Sequence, residues 1–374
     1  MRILFLARYL PNEGSSIQML SLAQGLVEKG HHVKVLSAGP KNNEESEALF
    51  LRSKKKGVLH AHVPFPKDRK FTNVGKFLQF LQYLISVPVF FYQCTRFRPD
   101  IIHVHYPVTS YLAYIYKKMT GKKFVSTYHI QGIPHHILHW NSDYVVAISS
   151  ELRRELIDYH GYEPSSVHLI HNGVSERKFD GQLATTSEKE QFKKKINVTN
   201  PTKIVGFIGS LNHRKGLDIL FQAMRLTQSS YHLVIVGDGD IDWTISIALE
   251  HEIIHRVSFF PYQDPIKFYR IMDLFVLPSR VEGFPLVAVE ALMMGVPVVR
   301  SKTAGANDQI LEGVNGLTFE SENFTALAYC IDQILEGDAN SYDQVHIRSN
   351  AIEKFSEDKM LADMISLYFK SLDV

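Results

Sequence analysis

The chain has 374 residues, of which 45% are hydrophobic and 21% are charged. This length and composition exclude a disordered protein and favour two folded domains over one. The net charge is only +2, with 41 Lys and Arg against 39 Asp and Glu, and we expect no nucleic-acid partner. The two cysteines, Cys94 and Cys330, form no disulfide framework and fit a reducing compartment.

Short apolar runs alternate with helical patterns through the first half, which predicts parallel sheets built from βαβ units. Strands are predicted at 3–7, 33–37, 101–105, 124–128, 144–148 and 167–170, and helices at 17–29, 108–119 and 150–160. The first strand leads into the loop NEGSSIQMLSLAQGL, which opens a helix. Gly14 allows close approach of a backbone, Ser15 or Ser16 can cap the helix, and the amides can bind an anion. An ordinary turn between a strand and a helix is the alternative.

The first half is also positively charged. Residues 1–170 hold 21 Lys and Arg against 12 Asp and Glu, a net +9, and the remainder holds 20 against 27, a net −7. This asymmetry indicates an anionic partner for the N-terminal half. The segment 67–84 combines cations with apolar residues at helical spacing, which is typical of an interfacial membrane helix or of an amphipathic helix on a sheet. The apolar run 77–92 is interrupted and shorter than the ~20 residues of a membrane span.

Histidines are concentrated in the same half, which holds 12 of the 18. His103 and His105 alternate on a predicted strand, so they share one face. His129 ends the next strand, in FVSTYH. It is either a functional-site residue or a hydrogen-bonded histidine without a functional role. A further group has metal-like spacing and consists of His135, His136 and His139. Because no carboxylate or Cys at ligand spacing completes that group, we expect no metal.

A polar, charged stretch at 175–202 lacks a strand pattern. Beyond it, strands are predicted at 204–209, 233–237, 257–259, 274–277, 297–300 and 317–319. We therefore expect tandem Rossmann-like domains at 1–174 and 203–355, joined by the linker region 175–202, with the ligand in the cleft between them. A last helix is predicted within 356–374.

The second domain opens with the strand KIVGFIG and then SLNHRKGLDILFQA. Lys215 lies between the strand and the next helix, where an ammonium group is suited to a diphosphate oxygen. A solvated loop lysine is the alternative. Further on, Gly237 and Gly239 lack the third glycine of a dinucleotide fingerprint, since position 242 is Asp.

Two acids, Glu282 and Glu290, bound the segment EGFPLVAVE. If both were helical, they would lie ~12 Å apart along the axis, too far to share a proton or a metal. That separation suits a nucleotide sugar, which has hydroxyl groups at both ends and a diphosphate between them. Backbone N–H groups from Gly283 to Leu286, at a helix N-terminus, suit the diphosphate. The alternative is two surface carboxylates flanking a core helix.

Residues 278–299, PSRVEGFPLVAVEALMMGVPVV, resemble the signature of family 4 retaining glycosyltransferases, the group 1 glycosyl transferases of GT-B fold. The resemblance extends in order through most of the chain. It implies the α/β GT-B fold, with two tandem Rossmann-like domains and an interdomain cleft. It also implies an acceptor-binding N-terminal domain, a donor-binding C-terminal domain, and a C-terminal helix that packs back on the first domain.

The resemblance also assigns roles to single residues. It places Glu282 beside the donor sugar and reacting centre, Glu290 on the ribose hydroxyls, and His129 in contact with the donor sugar. The catalytic set it implies is His129, Glu282 and Lys215. The donor-binding set is Gly14, Ser15, Ser210, Arg214, Lys215, Gly283, Phe284, Pro285, Leu286 and Glu290.

The chain departs from the family pattern at two of these places. The family has an Arg after the strand glycine and a Lys five residues later, both on the leaving diphosphate; Lys215 matches, but the Arg position is Ser210. Arg214 can supply the missing guanidinium. The family also carries two adjacent glycines, against a phosphate or the acceptor, where this chain has Gly14 and Ser15.

The sequence Asp238-Gly239-Asp240 holds a divalent ion in other glycosyltransferases. Here it follows a central strand, where the resembling family has a Gly-Asp-Gly turn and needs no metal. We therefore expect a turn, a metal-independent enzyme and no cofactor beyond the nucleoside-diphosphate sugar donor.

Together these features predict a retaining hexosyltransferase that moves a sugar from a nucleoside diphosphate to an acceptor hydroxyl in cell-envelope glycan or glycolipid synthesis. Expected partners are the nucleotide sugar, a glycan or lipid-linked acceptor and an anionic membrane surface. We expect a cytoplasmic protein, peripheral on the inner membrane face. The alternatives are a UDP-sugar 2-epimerase of GT-B fold and a non-catalytic glycosyltransferase-like partner subunit.

Overall fold

The computed structural model of the protein describes residues 1–41, 43–66, 73–105, 107–134, 138–198, 202–337 and 342–373. The chain forms two compact units. Unit 1 consists of Met1–Gly173 and Glu357–Val374, and unit 2 consists of Val174–Ser356. Each unit contains one parallel sheet and the helices that connect its strands.

Unit 1 has seven parallel strands in the order β3-β2-β1-β4-β5-β6-β7. The strands are β1 Arg2–Leu6, β2 His32–Ser37, β3 Leu59–His62, β4 Ile101–Val104, β5 Phe124–Tyr128, β6 Tyr144–Ala147 and β7 Val167–Leu169. The helices before unit 2 are α1 Gly14–Glu28, α2 Glu44–Lys55, α3 Asn73–Phe97, α4 Ser110–Thr120 and α5 Ser150–Asp158.

The central strand β1 is buried on both faces, as is usual for a parallel sheet covered by helices. Ile3 and Phe5 join a core cluster that contains residues of α1. Leu4 and Leu6 point the other way and join a cluster that contains residues of α3 and α4. The period-2 alternation of side chains thus divides the core of unit 1 between the two faces of its sheet.

The edge strand β3 was not predicted. Its sequence, LHAH, lacks a continuous apolar run, and no residue of the strand is fully buried. An edge strand pairs on one side only and can carry polar residues, so its hydrophobic signal is weak.

Helix α3 carries an exposed apolar face. The side chains of Phe77, Phe80 and Leu84 are 59%, 57% and 51% exposed. The sequence prediction ends this apolar run at residue 92, but the helix continues, and the 21 residues Phe77–Phe97 would by length and composition suffice to cross a membrane. A single helix of this length and composition is weak evidence for a membrane span, because the core helix of a soluble protein can have the same length and composition. Of the most apolar 18 residues of this helix, 17% are buried.

Unit 2 has six parallel strands in the order β10-β9-β8-β11-β12-β13. They are β8 Lys203–Ile208, β9 Tyr231–Val236, β10 Val257–Phe260, β11 Leu274–Leu277, β12 Val298–Ser301 and β13 Gly316–Phe319. Its helices are α6 Thr186–Lys195, α7 Leu217–Leu226, α8 Ile241–Glu250, α9 Ile266–Tyr269, α10 Leu286–Met293, α11 Ala306–Gln309, α12 Phe324–Glu336 and α13 Gln344–Phe355. The polar segment 175–202 belongs to this unit and contains α6, which a capping box between Thr185 and Glu188 begins.

The last helix, α14 Glu357–Ser371, belongs to unit 1. Ser21 on α1 donates a hydrogen bond to Glu357 at 2.6 Å. Leu361 packs so closely on α1 that a Cβ at Gly25 would lie 2.6 Å from it. Five side chains of α14 join the core of β1 and α1, namely Met360, Leu361, Met364, Leu367 and Tyr368.

In both sheets the strand order reverses beside the first strand of the unit, between β1 and β4 and between β8 and β11. At such a switch point the loops beyond the carboxyl ends of the two strands diverge to opposite faces of the sheet and leave a crevice, where open α/β sheets bind ligands. The switch points therefore indicate where each unit presents its functional residues.

Candidate functional site

The loop after β8 presents Lys215 at the switch point of unit 2. Lys215 ends the 3-10 turn His213–Lys215, and Asn212 caps that turn by accepting a hydrogen bond from the backbone N–H of Lys215 at 3.2 Å. Gly216 follows with φ +71°, and a Cβ there would lie 2.1 Å from the carbonyl oxygen of Pro278. Only glycine allows the turn to lie this close to the loop that follows β11.

These two loops bring a predicted cation and a predicted acid together. Lys215 Nζ lies 2.6 Å from Glu282 Oε1, and their side chains are 12% and 8% exposed. The residues are 67 positions apart in the chain, but β8 and β11 are neighbouring strands. Because the pair is largely withdrawn from water, its charges are screened less than those of a surface pair. An anionic ligand at this point would compete with Glu282 for the ammonium group.

Arg280 fastens the two loops to each other. Its guanidinium donates to both carboxylate oxygens of Asp218, at 2.8 and 2.7 Å, and to both of Glu322, at 2.6 and 3.0 Å. It also donates to the carbonyl oxygen of His213 at 2.6 Å, and its backbone N–H donates to that of Arg214 at 2.8 Å. Sequence reasoning missed this residue because its partners are distant in the chain and nothing in PSRVEG distinguishes it from a surface arginine.

Ser210 occupies the position where the family pattern has an arginine, and it is exposed. Arg214, the candidate replacement for that arginine, is also exposed. Ser210 lies two residues after the end of β8, beyond Gly209. Arg214 Nη1 donates to the carbonyl oxygen of Val281 at 3.3 Å, one residue before Glu282. The guanidinium therefore lies along the loop that carries the acid. Its role toward a diphosphate stays a prediction.

The turn between Glu282 and α10 is held by packing and by a hydrogen bond from the side chain of Gln309. Phe284 is 5% exposed, and its ring centroid lies 5.7 Å from that of Phe355. Gln309 Nε2 donates to the carbonyl oxygen of Pro285 at 3.1 Å. The turn that leads from the acid to the helix is thus fixed by contacts within unit 2.

The predicted anion site at Gly283–Leu286 has fewer backbone N–H donors than its four residues suggest. Pro285 has no N–H, so at most three backbone donors remain, from Gly283, Phe284 and Leu286. Pro285 is also the N-cap of α10, and no described side chain caps that helix end. The N-terminus of α10 therefore keeps the partial positive charge that favours an anion.

Glu290 lies on α10, four positions after Leu286, and is half-buried. Its Oε2 accepts a hydrogen bond from the hydroxyl of Tyr269 at 3.1 Å. Burial raises the pKa of the Glu290 carboxyl, and the positive charge of Lys178 works against this rise. The two acids of EGFPLVAVE therefore lie on different elements and have different partners.

In unit 1, the loop after β1 reaches α1 earlier than predicted. The helix begins at Gly14 with Glu13 as its N-cap residue, and no described side chain caps it. The prediction that Ser15 or Ser16 caps this helix is therefore wrong, because both lie in its first turn. A Cβ on Gly14 would meet nothing within 4 Å, so the space beside this residue is open.

His129 belongs to a chain of buried polar side chains. Its Nε2 lies 3.3 Å from His105 Nδ1, and the rings of His105 and His103 lie 4.1 Å apart. His103 Nδ1 in turn lies 2.7 Å from the Tyr368 hydroxyl of α14, and His103 Nε2 lies 2.7 Å from Thr127 Oγ1. Side chains from β4, β5 and the C-terminal helix thus form one network at the carboxyl ends of these strands.

All three histidines of this network are neutral at neutral pH. Burial lowers the pKa of His103 to about 3 and that of His129 to about 4, and it lowers the pKa of His105 well below its usual value. His129 therefore acts through hydrogen bonds rather than as a cation. Its buried Nδ1 and His105 Nε2 have no hydrogen-bond partner among the described residues. Both residues line a cavity of about 10 Å³, room for about one water molecule.

The Asp238-Gly239-Asp240 segment forms a turn and a helix cap. Asp238 Oδ1 accepts from the backbone N–H of Tyr262, and Asp240 Oδ1 accepts from that of Trp243 at the start of α8, both at 3.0 Å. In the part of the chain that the structure describes, no group of three His, Cys, Asp or Glu side chains could hold a metal ion. His135 and His136 lie outside that part.

Comparison with known proteins assigns both halves of the chain. The Glycosyltransferase Family 4 model matches residues 13–178, and the Glycosyl transferases group 1 model matches residues 188–354. An uncharacterized glycosyltransferase of Methanocaldococcus jannaschii is 27% identical, over 95% of this chain and 94% of its own. The Staphylococcus aureus capsular polysaccharide biosynthesis glycosyltransferase CapM is 27% identical over 60% of each chain.

A solved structure shows the same fold. Anabaena Alr3699/HepE, crystallised in complex with UDP, superposes with a TM-score of 0.80 at 19% identity, over 98% of this chain and 99% of its own. The two Rossmann-like units therefore form the GT-B fold, and the predicted fold and family are confirmed. The chain belongs to glycosyltransferase family 4, the group 1 glycosyl transferases of GT-B fold.

Proposed function

We propose that this glycosyltransferase moves a sugar from a nucleoside diphosphate to an acceptor hydroxyl with retention of configuration, in the synthesis of a cell-envelope glycan or glycolipid. The observation that carries the proposal is the contact of Lys215 with Glu282, 2.6 Å apart at the switch point of unit 2. The pair offers a cation for a diphosphate beside an acceptor for sugar hydroxyls. The name of CapM, a capsular polysaccharide enzyme, supports the cell-envelope setting.

The chemistry requires a stabilised leaving group. Cleavage between the sugar C1 and the diphosphate oxygen develops positive charge on the sugar and negative charge on the diphosphate. In the proposed mechanism Lys215 exchanges its contact with Glu282 for one with the diphosphate. Backbone N–H groups at the start of α10 add further donors. These groups would take the place of the divalent ion that metal-dependent transferases use.

The placement of Glu282 and Glu290 on different elements favours front-face attack over double displacement. Double displacement uses two carboxylates about 5 Å apart on opposite sides of the sugar. Here Glu282 lies on the loop before α10 and Glu290 lies on α10 itself, where it accepts a hydrogen bond from Tyr269. In the proposed reaction the acceptor hydroxyl attacks C1 from the side on which the diphosphate leaves, and its proton passes to that phosphate. Glu282 and the neutral His129 position the sugar.

A uridine nucleotide is the first donor to test, since the Anabaena neighbour was solved with UDP. The chain is incubated with UDP-sugars, with and without a panel of glycan and lipid-linked acceptors, and the products are examined by NMR. We expect UDP release that rises with acceptor, and a linkage with the anomeric configuration of the donor. The opposite configuration would overturn the retaining mechanism.

The same incubation distinguishes the two alternative functions. An epimerised sugar formed from donor alone would identify a 2-epimerase. Donor binding without hydrolysis or transfer, across the whole acceptor panel, would identify a non-catalytic partner subunit. Neither outcome is compatible with the proposed transfer reaction.

We further propose that unit 1 binds the cytoplasmic face of an anionic membrane, where a lipid-linked acceptor would be found. Two observations support this proposal: the exposed apolar face of α3 and the net charge of +9 within residues 1–170. Apolar side chains that enter the acyl boundary and cations that meet anionic headgroups are the two components of interfacial binding.

Replacing both Phe80 and Leu84 with Asp is expected to weaken binding to anionic vesicles at low salt by about tenfold or more, because two apolar side chains no longer enter the lipid. Sedimentation with phosphatidylglycerol vesicles measures this. The control replaces Leu249 and Tyr329 of unit 2, which are 56% and 64% exposed, with Asp. Failure of the unmodified chain to bind these vesicles, or equal losses in both variants, would contradict the membrane proposal.

A further inference from the structure

Tyr269 places a buried hydroxyl against the acid of α10. The side chain is fully buried, and its hydroxyl lies 3.1 Å from Glu290 Oε2 and 3.0 Å from the carbonyl oxygen of Val287. Burial, together with the negative charge of Glu290, raises the pKa of Tyr269 well above 10. The hydroxyl therefore keeps its single proton and donates it to these two acceptors.

The ring of Tyr269 cannot move far. Phe275 and Phe179 contact it edge-on, with centroids 5.7 and 6.2 Å from its own. A side chain packed in this way holds its hydroxyl at a fixed point, because displacement would open a cavity or force a strained rotamer. The aromatic packing thus fixes a hydrogen-bond donor beside α10.

A fixed donor on one oxygen orients the whole carboxylate. Among the described residues, Tyr269 is the hydrogen-bond partner of Glu290, and of the two carboxylate oxygens its hydroxyl contacts Oε2. This contact restricts the side-chain torsions of Glu290 and so limits the orientations of the carboxylate. Lys178 adds a positive charge nearby, which favours the ionised form against the cost of burial.

We propose that Tyr269 is a positioning residue that holds Glu290 in the orientation needed to accept from the two vicinal hydroxyls of a nucleotide ribose. The inference rests on the proposed function and goes beyond it, since it assigns the selection of a ribonucleotide over a deoxyribonucleotide to a side chain that does not touch the ligand. An acceptor that a missing hydroxyl leaves unpaired disfavours binding of the analogue.

The test compares the dissociation constants of UDP, 2′-deoxy-UDP and 3′-deoxy-UDP. We expect the unmodified chain to prefer UDP by on the order of tenfold or more, as for a hydrogen bond to a charged group. Tyr269→Phe removes one oxygen atom and should reduce this preference severalfold, raise the KM of the donor and leave kcat at saturation nearly unchanged. Glu290→Ala should abolish the preference.

The matched control is Tyr231→Phe. Tyr231 is 3% exposed in the same unit, and its hydroxyl donates to the carbonyl oxygen of Met224 at 2.6 Å. Loss of that hydrogen bond should lower stability without changing the preference for UDP. Because the preference is a ratio within one variant, a general loss of stability does not mimic the expected result.

The possible outcomes distinguish a failure of the positioning role of Tyr269 from a failure of the proposed function. An unchanged preference in Tyr269→Phe would overturn the positioning role and leave the proposed function standing. If the unmodified chain binds no nucleoside diphosphate, the proposed function and this inference fall together. Should Tyr269→Phe not fold, Glu290→Asp withdraws the carboxylate from the hydroxyl, and an unchanged preference there would again overturn the inference.

Discussion

Replacing Lys215 with Ala is expected to lower kcat by ~10²-fold or more, comparable to the loss of one oxyanion donor. The reason is geometric: the ammonium group is held at the switch point of unit 2 by a capped turn and by Glu282, 2.6 Å away. Once donor binding has drawn this ammonium group from Glu282 to the diphosphate, its positive charge stabilises the negative charge that develops on the leaving group. Release of the nucleoside diphosphate at saturating donor and acceptor measures the effect.

The control for this prediction is Lys302→Ala. Lys302 forms a 2.7 Å ion pair with Glu320 in the same unit, but both side chains are largely exposed, at 47% and 70%. A surface pair of this kind contributes little to stability, and we expect unchanged turnover. Lys215→Ala also leaves Glu282 without its partner, so rates are expressed per folded molecule. Near-normal turnover in Lys215→Ala would contradict the leaving-group role.

Acidification from pH 7 to pH 5 is expected to destabilise unit 1, through the histidine network around His103. Burial lowers the pKa of His103 from 6.5 to about 3, so between these values the unfolded chain binds a proton that the folded chain excludes. The stability from the neutral imidazole is complete above pH 6.5 and is lost as the pH falls toward 3. At pH 5 the loss from His103 alone is about 2 kcal/mol.

His103→Gln should remove about that much of the pH dependence, because an amide retains hydrogen-bonding capacity toward Thr127 and Tyr368 but does not titrate. Urea unfolding at pH 7 and pH 5 measures the change. A Trp243→Phe background leaves Trp140 as a fluorescent reporter within unit 1. His62→Gln, on an exposed strand position of the same unit, is the control. An equal pH dependence in the His103→Gln variant and the unmodified chain would show that the network does not carry the acid response.

The buried strands could be predicted from the sequence, because parallel strands covered on both faces appear as continuous apolar runs. The edge strand β3 could not, since LHAH has no such run. The start of α1 was misplaced because Ser15 and Ser16 are residue types that suit an N-cap, whereas the backbone is already helical from Gly14. Helix boundaries are set by local hydrogen bonds that composition does not specify.

Local motifs identified Lys215 and Glu282 separately, but their contact depends on the adjacency of β8 and β11. No pattern along the chain states which strands are neighbours. For the same reason Arg280 and Tyr269 were not predicted: each acts through partners supplied by other elements. Local motifs thus single out candidate site residues, but they do not identify the residues that hold those candidates in place.

The return of α14 to unit 1 has a consequence for biosynthesis. Unit 2 is one continuous segment and can fold during translation. The core around β1 and α1, by contrast, lacks five of its side chains until residues 357–371 have emerged from the ribosome. The N-terminal segment of unit 1 therefore cannot complete its core until the whole of unit 2 has been translated. Premature termination after Ser356 would leave that portion with an uncovered apolar surface, open to chaperones and to aggregation.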